Sequence, residues 1–452
     1  MNVTTTMQQA EQEQVGRYRT SFEALEKRLN GGSVLHDIRR AAFERFSDAG
    51  FPTTKEEEWR FTNIAPIAKT GFRPPSETSG RGVTDRDISR WEFDGLKAHR
   101  LVFVNGHFAP ALSLIHPLPG GVKLGSLAAA IRTEPTILDR HLAHYAKFEE
   151  NAFTALSTAF LEDGGFLYVP DGTVLREPVH FFFFATDGLE PFVVHPRNLI
   201  ITGKDCRVSV VESYSGSAGN VYLSNAVTEV VVGGNSVIEH DKLQEESRNA
   251  YHVGSMSILM ERGSNFTSNS IALGGSIVRN NVTAVLGAEG GECTLNGLSL
   301  STDRQIIDNH TVIDHAQPNC VSHELYKAIL DGKSRGVFNG KIFVRRDAQK
   351  TDAKQTNKSL LLSDGATIDT KPQLEIFADD VKCTHGATVG QLDEEQVFYL
   401  RSRGIGESDA RDLLTFAFAG DIINRVHVAP LRGRLEGMLR SRLRQGRIAE
   451  GT

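Results

Sequence analysis

Apolar positions at Val15, Tyr18, Phe22, Leu25 and Leu29 lie three and four residues apart, which places them on one face of a helix that Gly31-Gly32 ends. A second stripe, Leu35, Ile38, Ala42 and Phe46, predicts another helix closing near Gly50. Pro52-Thr53-Thr54-Lys55-Glu56-Glu57 then offers capping-box chemistry for a short turn. The polar stretch from about 76 to 100, opened by Pro74-Pro75, reads as a connection. Short strands start at Leu101-Val102-Phe103-Val104, and the mixed segment through Ala130 and Phe153 predicts one or two helices before Phe166.

From Phe166 to about Gly390 the period changes. Short β-branched and aromatic runs alternate with Gly, Asn, Asp and Ser turns. The turns Gly203-Lys204-Asp205, Gly233-Gly234-Asn235 and Gly263-Ser264-Asn265 start 30 residues apart, and similar ones follow less regularly at Gly290, Gly332 and Ser363. Runs such as Cys206–Val210 and Ser236–His240 place successive side chains on opposite faces. A strand-and-turn unit that cannot bury its apolar face alone buries it by stacking, so the pattern predicts a β-helix or solenoid, with an antiparallel sandwich as the alternative.

Helical spacing returns after Gly404: Ser408 suits an N-cap, Asp409 the positive helix end, and Leu414, Phe418 and Ile422 recur every four residues. Pro430 marks a break. A last stripe, Leu431, Leu435, Leu439 and Leu443, is interleaved with Arg432, Arg434, Arg440, Arg442 and Arg444, an amphipathic helix whose leucines need cover from this chain or a partner. The expected division is a helical region and connection over 1–100, a mixed α/β segment over 101–165, a β core over 166–402 and a helical region over 403–452.

Composition narrows the function. With 50 Lys plus Arg against 56 Asp plus Glu in 452 residues, electrostatics give little support for binding nucleic acid or a membrane surface. The first residues lack a basic and apolar leader, and no apolar run approaches the roughly 20 residues that span a bilayer, so a soluble, cytoplasmic protein is expected. Cys206, Cys293, Cys320 and Cys383 form no CxxC pair, which fits a reducing compartment.

Candidate chemistry is sparse. Gly332-Lys333-Ser334 resembles the end of a phosphate-binding loop, but Lys327 stands where the first glycine of that loop belongs, so an ordinary turn is expected. Asp347, Asp352, Asp364, Asp369, Asp379 and Asp380 raise the possibility of a calcium-dependent, carbohydrate-active β-helix, yet all sit in turn-like contexts that favour Asp for local bonding. His310 and His315 fall on opposite strand faces and read as structural. Cys383 and His385, two apart in Val381-Lys382-Cys383-Thr384-His385-Gly386-Ala387, share a strand face and suit iron or zinc. Two donors leave such a site incomplete, because about four are needed. The other three cysteines are expected to pack inside strands.

The run Gly340–Ala353, Gln355–Ser363, Lys371-Pro372-Gln373-Leu374-Glu375-Ile376, Val381–Gly390 and Phe398–Ile405 resembles the SufB/SufD family, and Phe51–Asn63 resembles its amino-terminal segment. Two features separate the chain from the sulfur-accepting SufB branch: Gln355-Thr356-Asn357-Lys358-Ser359 contains no cysteine, and Cys383-Thr384-His385-Gly386 stands where that branch tends to carry Glu-His-Glu. The resemblance implies a mainly β fold, a right-handed parallel β-helix flanked by amino- and carboxy-terminal helical regions. It implies a non-enzymatic scaffold of iron-sulfur cluster assembly that pairs with a SufB-like chain through the end of the β-helix, or with a second copy of itself in isolation. A transient iron-sulfur cluster would be shared with the SufB-like chain, with His385 as a candidate metal ligand and Cys383 beside it. A SufC-like ATPase would bind the carboxy-terminal helices near Ser408, Leu414, Phe418 and Ile422, and ATP would enter only through it. The competing readings are a sulfur-accepting SufB-type chain, marked by one essential thiol, and a carbohydrate-active β-helix enzyme, marked by calcium-dependent lyase activity.

Overall fold

The computed structural model describes residues 3–29, 34–76, 78–187 and 190–449, with side chains described between 15 and 443 apart from that of Val34. Gly31-Gly32 and the side chain of Arg444 lie outside the described residues.

The alternating runs stack as a parallel β-solenoid. One sheet runs through Val179–Ala185, Arg207–Gly216, Val237–Glu245, Asn265–Ala272, Glu292–Ser301, Val321–Leu330, Asp352–Leu361 and Lys382–Gly390. The other runs through Gly165–Val169, Arg197–Thr202, Tyr222–Val232, Tyr251–Met260, Ile277–Leu286, Ile306–His315, Arg335–Val344 and Thr367–Ile376. Recurring turns join them: Asp205, Asn235 and Gly263 adopt φ of 55°, 56° and 64°, a left-handed region that Asn, Asp and Gly reach at least cost. The turns also touch. Asn235 Nδ2 donates to Asp205 Oδ1 30 residues earlier (3.2 Å), and a Cβ on Gly233 would stand 2.1 Å from the Gly203 carbonyl oxygen. Gly332-Lys333-Ser334 is another such turn, with the Lys333 amide bonded to the Asp303 carbonyl.

Inward positions of both sheets fill the lumen, including Val208, Ile238, Phe266, Cys293 and Leu295 facing Val230, Ile258, Ala284 and Ile313. All three cysteines expected inside strands are buried, but only Cys293 lies within one; Cys206 and Cys320 join this core from the turns just before theirs. The parallel ladder starts earlier in sequence than alternation indicated. His99–Val104 pairs parallel with Val179–Ala185, and Glu394–Ser402, at the far end of the expected β core, is helical.

Helices cover the outer faces. The amino-terminal helix runs Val3–Leu29, starting before its apolar stripe does, and packs with Val34–Ala49. Tyr18, Phe22, Phe43 and Phe46 meet Trp59, Phe153 and Phe160 over Val193, Leu223, Val253 and Ile277 of one sheet. Only half of the expected capping box forms: the Thr53 amide donates to Glu56 Oε1 at 2.8 Å, but Thr53 Oγ1 accepts from the Lys55 amide, and the short helix Glu57–Trp59 starts after Glu56 without a side-chain cap. On the other sheet, Leu431, Leu435 and Leu439 of helix Ala429–Ala449 lie buried with Leu243, Ile271, Leu298, Ile329 and Leu360. The leucine stripe is therefore covered by this chain's own solenoid, a contribution of roughly 1.5–3 kcal/mol per fully buried leucine. Its arginines reinforce the contact: Arg434 pairs with Glu245 (2.8 Å) and Arg442 donates to the Leu273 carbonyl (2.5 Å).

Candidate functional site

Solenoid ends expose strand edges, and here the two ends differ. At the amino end short antiparallel strands close both sheets: His107–Phe108 on His99–Val104, and Lys123–Ser126 on Gly165–Val169. Phe108, Leu118, Val122 and Leu124 pack against that end of the lumen core. At the carboxy end Thr367–Ile376 and Lys382–Gly390 each pair on one side only, leaving a row of backbone donors and acceptors along each free edge.

Cys383 and His385 lie on this last strand. In the parallel register Cys383 continues the row Val208, Ile238, Phe266, Cys293, Ser322 and Ala353, whereas His385 continues Val210, His240, Ser268, Leu295, Glu324 and Gln355. Both rows face the lumen, so the thiol and the imidazole stand together at its open mouth. Cys383 is half-buried against Ile342, Ala353 and Ala378. Burial first, and Asp352 second, push its thiol pKa up, against a backbone hydrogen bond with Ala353. Cys383 is thus held as a thiol, and binding a metal would require its proton to leave. His385 is exposed, and no described residue hydrogen-bonds to its ring. Behind it Gln355 donates to Glu324 Oε2 at 2.7 Å, and burial raises Glu324 to about 7. Among the described residues no three His, Cys, Asp or Glu side chains converge as a metal site.

Of the six aspartates weighed for calcium, Asp369 pairs with Arg335 (2.6 Å), Asp352 with Lys354 (3.2 Å) and Asp380 with Lys350, and Asp352 and Asp369 lie on strands instead of in turns. His310 and His315 do face opposite ways. His315 is buried against Ser322, and His310 points outward between Asp308 (3.0 Å) and Glu58 (3.2 Å). Arg279 completes this clamp on the amino-terminal segment, pairing with Asp308 (2.9 Å), donating to the Glu58 carbonyl and lying 3.8 Å over the Trp59 ring. Burial opposes charge on His310, but Asp308 and the hydrogen bonds to Asp308 and Glu58 outweigh it and raise its pKa. Burial likewise works against Asp308, yet Arg279 and His310 hold it at about 2.

The carboxy-terminal candidates are placed differently from the expectation. Helix Glu407–Ile423 is capped by Gly406, so Ser408 sits exposed inside its first turn and is not the N-cap. Ile422 is fully buried and Phe418 half-buried against the solenoid, Leu414 is half-buried, and Lys327 Nζ donates to the Phe418 carbonyl (3.0 Å) and pairs with Asp421. Phe418 and Ile422 therefore anchor the helix instead of facing outward. Among the described residues here, the exposed large apolar side chains are Phe398 and Tyr399 of helix Glu394–Ser402, 71% and 57% exposed, and Leu413, 49% exposed. Sequence reading missed Phe398 and Tyr399 because their helix was expected to be part of the β core, and Leu413 because it followed the stripe with period four, which is the buried one. The signal available was Leu413, an apolar residue off that stripe.

These features define a β-solenoid with helical flanks, one closed end and one open end. Sequence comparison gives its family. Residues 183–418 match the family model described as SUF system FeS cluster assembly, SufBD core domain, and residues 8–181 match the SufBD protein N-terminal region. The chain is 33% identical over 414 residues to an iron-sulfur cluster assembly SufBD family protein of Synechocystis, covering 89% of this chain and 90% of the relative. It is 30% identical over 400 residues to the iron-sulfur cluster assembly protein SufD of Escherichia coli, 88% and 90% covered. A third relative, the chloroplastic protein ABCI7 of Arabidopsis thaliana, is 28% identical over 421 residues, 90% and 86% covered. The chain belongs to the SufBD family of iron-sulfur cluster assembly proteins and acts in the SUF system. No helix among its described residues is long and apolar enough to cross a membrane.

Proposed function

We propose that the chain is a SufD-type scaffold subunit without turnover of its own, which pairs edge to edge with a SufB-type chain at the open end of the solenoid. The observation that carries this reading is the free pair of edges at Thr367–Ile376 and Lys382–Gly390, with Cys383 and His385 on the second. A strand added there gains main-chain hydrogen bonds along its length and covers the exposed Ile376, Phe377 and Val389. A nascent iron-sulfur cluster is the cargo of such a junction. His385 and, once deprotonated, Cys383 supply two donors from this side, and the partner and sulfide supply the rest. A SufC-type ATPase docks on the carboxy-terminal helices, where Phe398, Tyr399 and Leu413 offer the apolar contact, so ATP hydrolysis belongs to the partner. In isolation the same edges allow two copies of this chain to pair.

Co-expression with SufB-type and SufC-type chains, tagging only this protein, tests the proposal, with all three expected to co-elute. In that reconstituted complex His385→Ala is expected to weaken cluster assembly while leaving the complex intact, and unchanged assembly would remove His385 as a ligand. The sulfur-accepting alternative predicts loss of assembly when a single cysteine is replaced by serine.

A further inference from the structure

We infer that the cleft between helix Val3–Leu29 and the loop 71–76 binds a small amphipathic anion, an organic molecule with one phosphate or carboxylate head and an apolar body. The cleft encloses about 930 Å³, within the range of small-molecule sites, and lies on the amino-terminal helical side of the molecule, apart from the open solenoid mouth. Leu25, Phe72 and Phe160, each no more than 5% exposed, give it an apolar floor.

The charge above that floor is positive and partly uncompensated. Arg28 is paired with Glu162. Arg17 and Arg73, which also line the cleft, have no side-chain partner among the described residues. Both stand on fixed supports. A Cβ built on Gly71 would stand 3.1 Å from Arg17 Nη1, so this guanidinium lies against bare loop backbone. The Arg73 backbone is pinned by hydrogen bonds to Pro191 (3.2 Å) and Val193 (3.0 Å). Guanidinium groups match the paired oxygens of carboxylate and phosphate, and an anion between two like charges relieves their repulsion. A mineral anion would leave the floor unused, which is why the ligand needs an apolar body.

Isothermal titration of the full-length chain tests this with three probes: AMP as an aromatic phosphate, laurate as an aliphatic carboxylate, and inorganic phosphate. One of the two organic anions is expected to bind one to one, and which one does so identifies the body. Affinity is expected to fall roughly tenfold or more in Arg17→Ala and in Arg73→Ala, the scale of one lost charged hydrogen bond. Ala24→Trp, at an exposed lining position, is expected to fill the cleft and abolish binding with unchanged Tm. The inference is overturned if neither AMP nor laurate binds, if the arginine variants bind as well as the native chain, or if inorganic phosphate binds as tightly as the organic anions.

Discussion

The two ends of the solenoid are made of the same backbone and treated in opposite ways. At the amino end the sheets stop in strands of two and four residues that turn antiparallel, and apolar side chains plug the lumen. At the carboxy end strands of ten and nine residues stop with one edge free. A soluble protein blunts long exposed edges because they template pairing with other chains. Blunting one end and leaving the other open is the contrast on which the proposed partner site rests. The inward row that reaches the exposed His385 begins, through Val210 and Val179, at His99, which is buried, so an imidazole is covered at one end and uncovered at the other.

Breaking the open edge is expected to have the largest effect. The Lys382 amide bonds to the Thr351 carbonyl, so by alternation the amides of Cys383, His385, Ala387 and Val389 point to the free side. Ala387→Pro removes one outward donor and sets a ring against an incoming strand. Co-elution with a SufB-type chain is expected to be lost while circular dichroism of the isolated chain is unchanged. Retained co-elution would place the partner elsewhere.

Breaking the closed end acts on folding instead. Glu229, fully buried, pairs with Arg197 (2.7 Å) and accepts the amides of Ala143, Tyr145 and Ala146, tying that loop to the early turns of the solenoid. Glu229→Ala leaves Arg197 charged and unpaired and is expected to cost about 3–5 kcal/mol in denaturant unfolding. Leu435→Ala, under the carboxy-terminal helix, is expected to cost about 2–5 kcal/mol, because that leucine is 2% exposed.

The smallest effect concerns the Glu58–His310–Asp308 clamp between the ends. Because the folded-state pKa of His310 is raised, its contribution is complete below the ordinary histidine value near 6.5 and fades as pH rises through the raised value. Asp308 has the opposite sign and contributes until pH falls toward about 2. His310→Gln is expected to remove the alkaline part of this dependence, read as the difference in Tm between pH 6 and pH 8.

The solenoid was legible because period-two alternation and the turns at Gly203, Gly233 and Gly263 repeat the same physical problem at a fixed spacing. Strand His99–Val104 was harder to assign to the same sheet, since its partner Val179–Ala185 lies far along the chain and no turn of the repeat joins them. Cys383 and His385 could be put on one face by spacing alone. Their position at an open mouth depends on which strand comes last, a fact of topology. On the family resemblance Phe418 and Ile422 were expected near a SufC-like ATPase; a helix stripe says only that something covers it, and here the solenoid does.

Amide hydrogen exchange, measured on the chain alone and with a SufB-type chain, tests the role of the open end most directly. Protection is expected to rise on binding in Thr367–Ile376 and Lys382–Gly390 and to stay unchanged in His99–Val104 and Lys123–Ser126. New protection at the closed end, or none at either open strand, would place the SufB-type chain elsewhere.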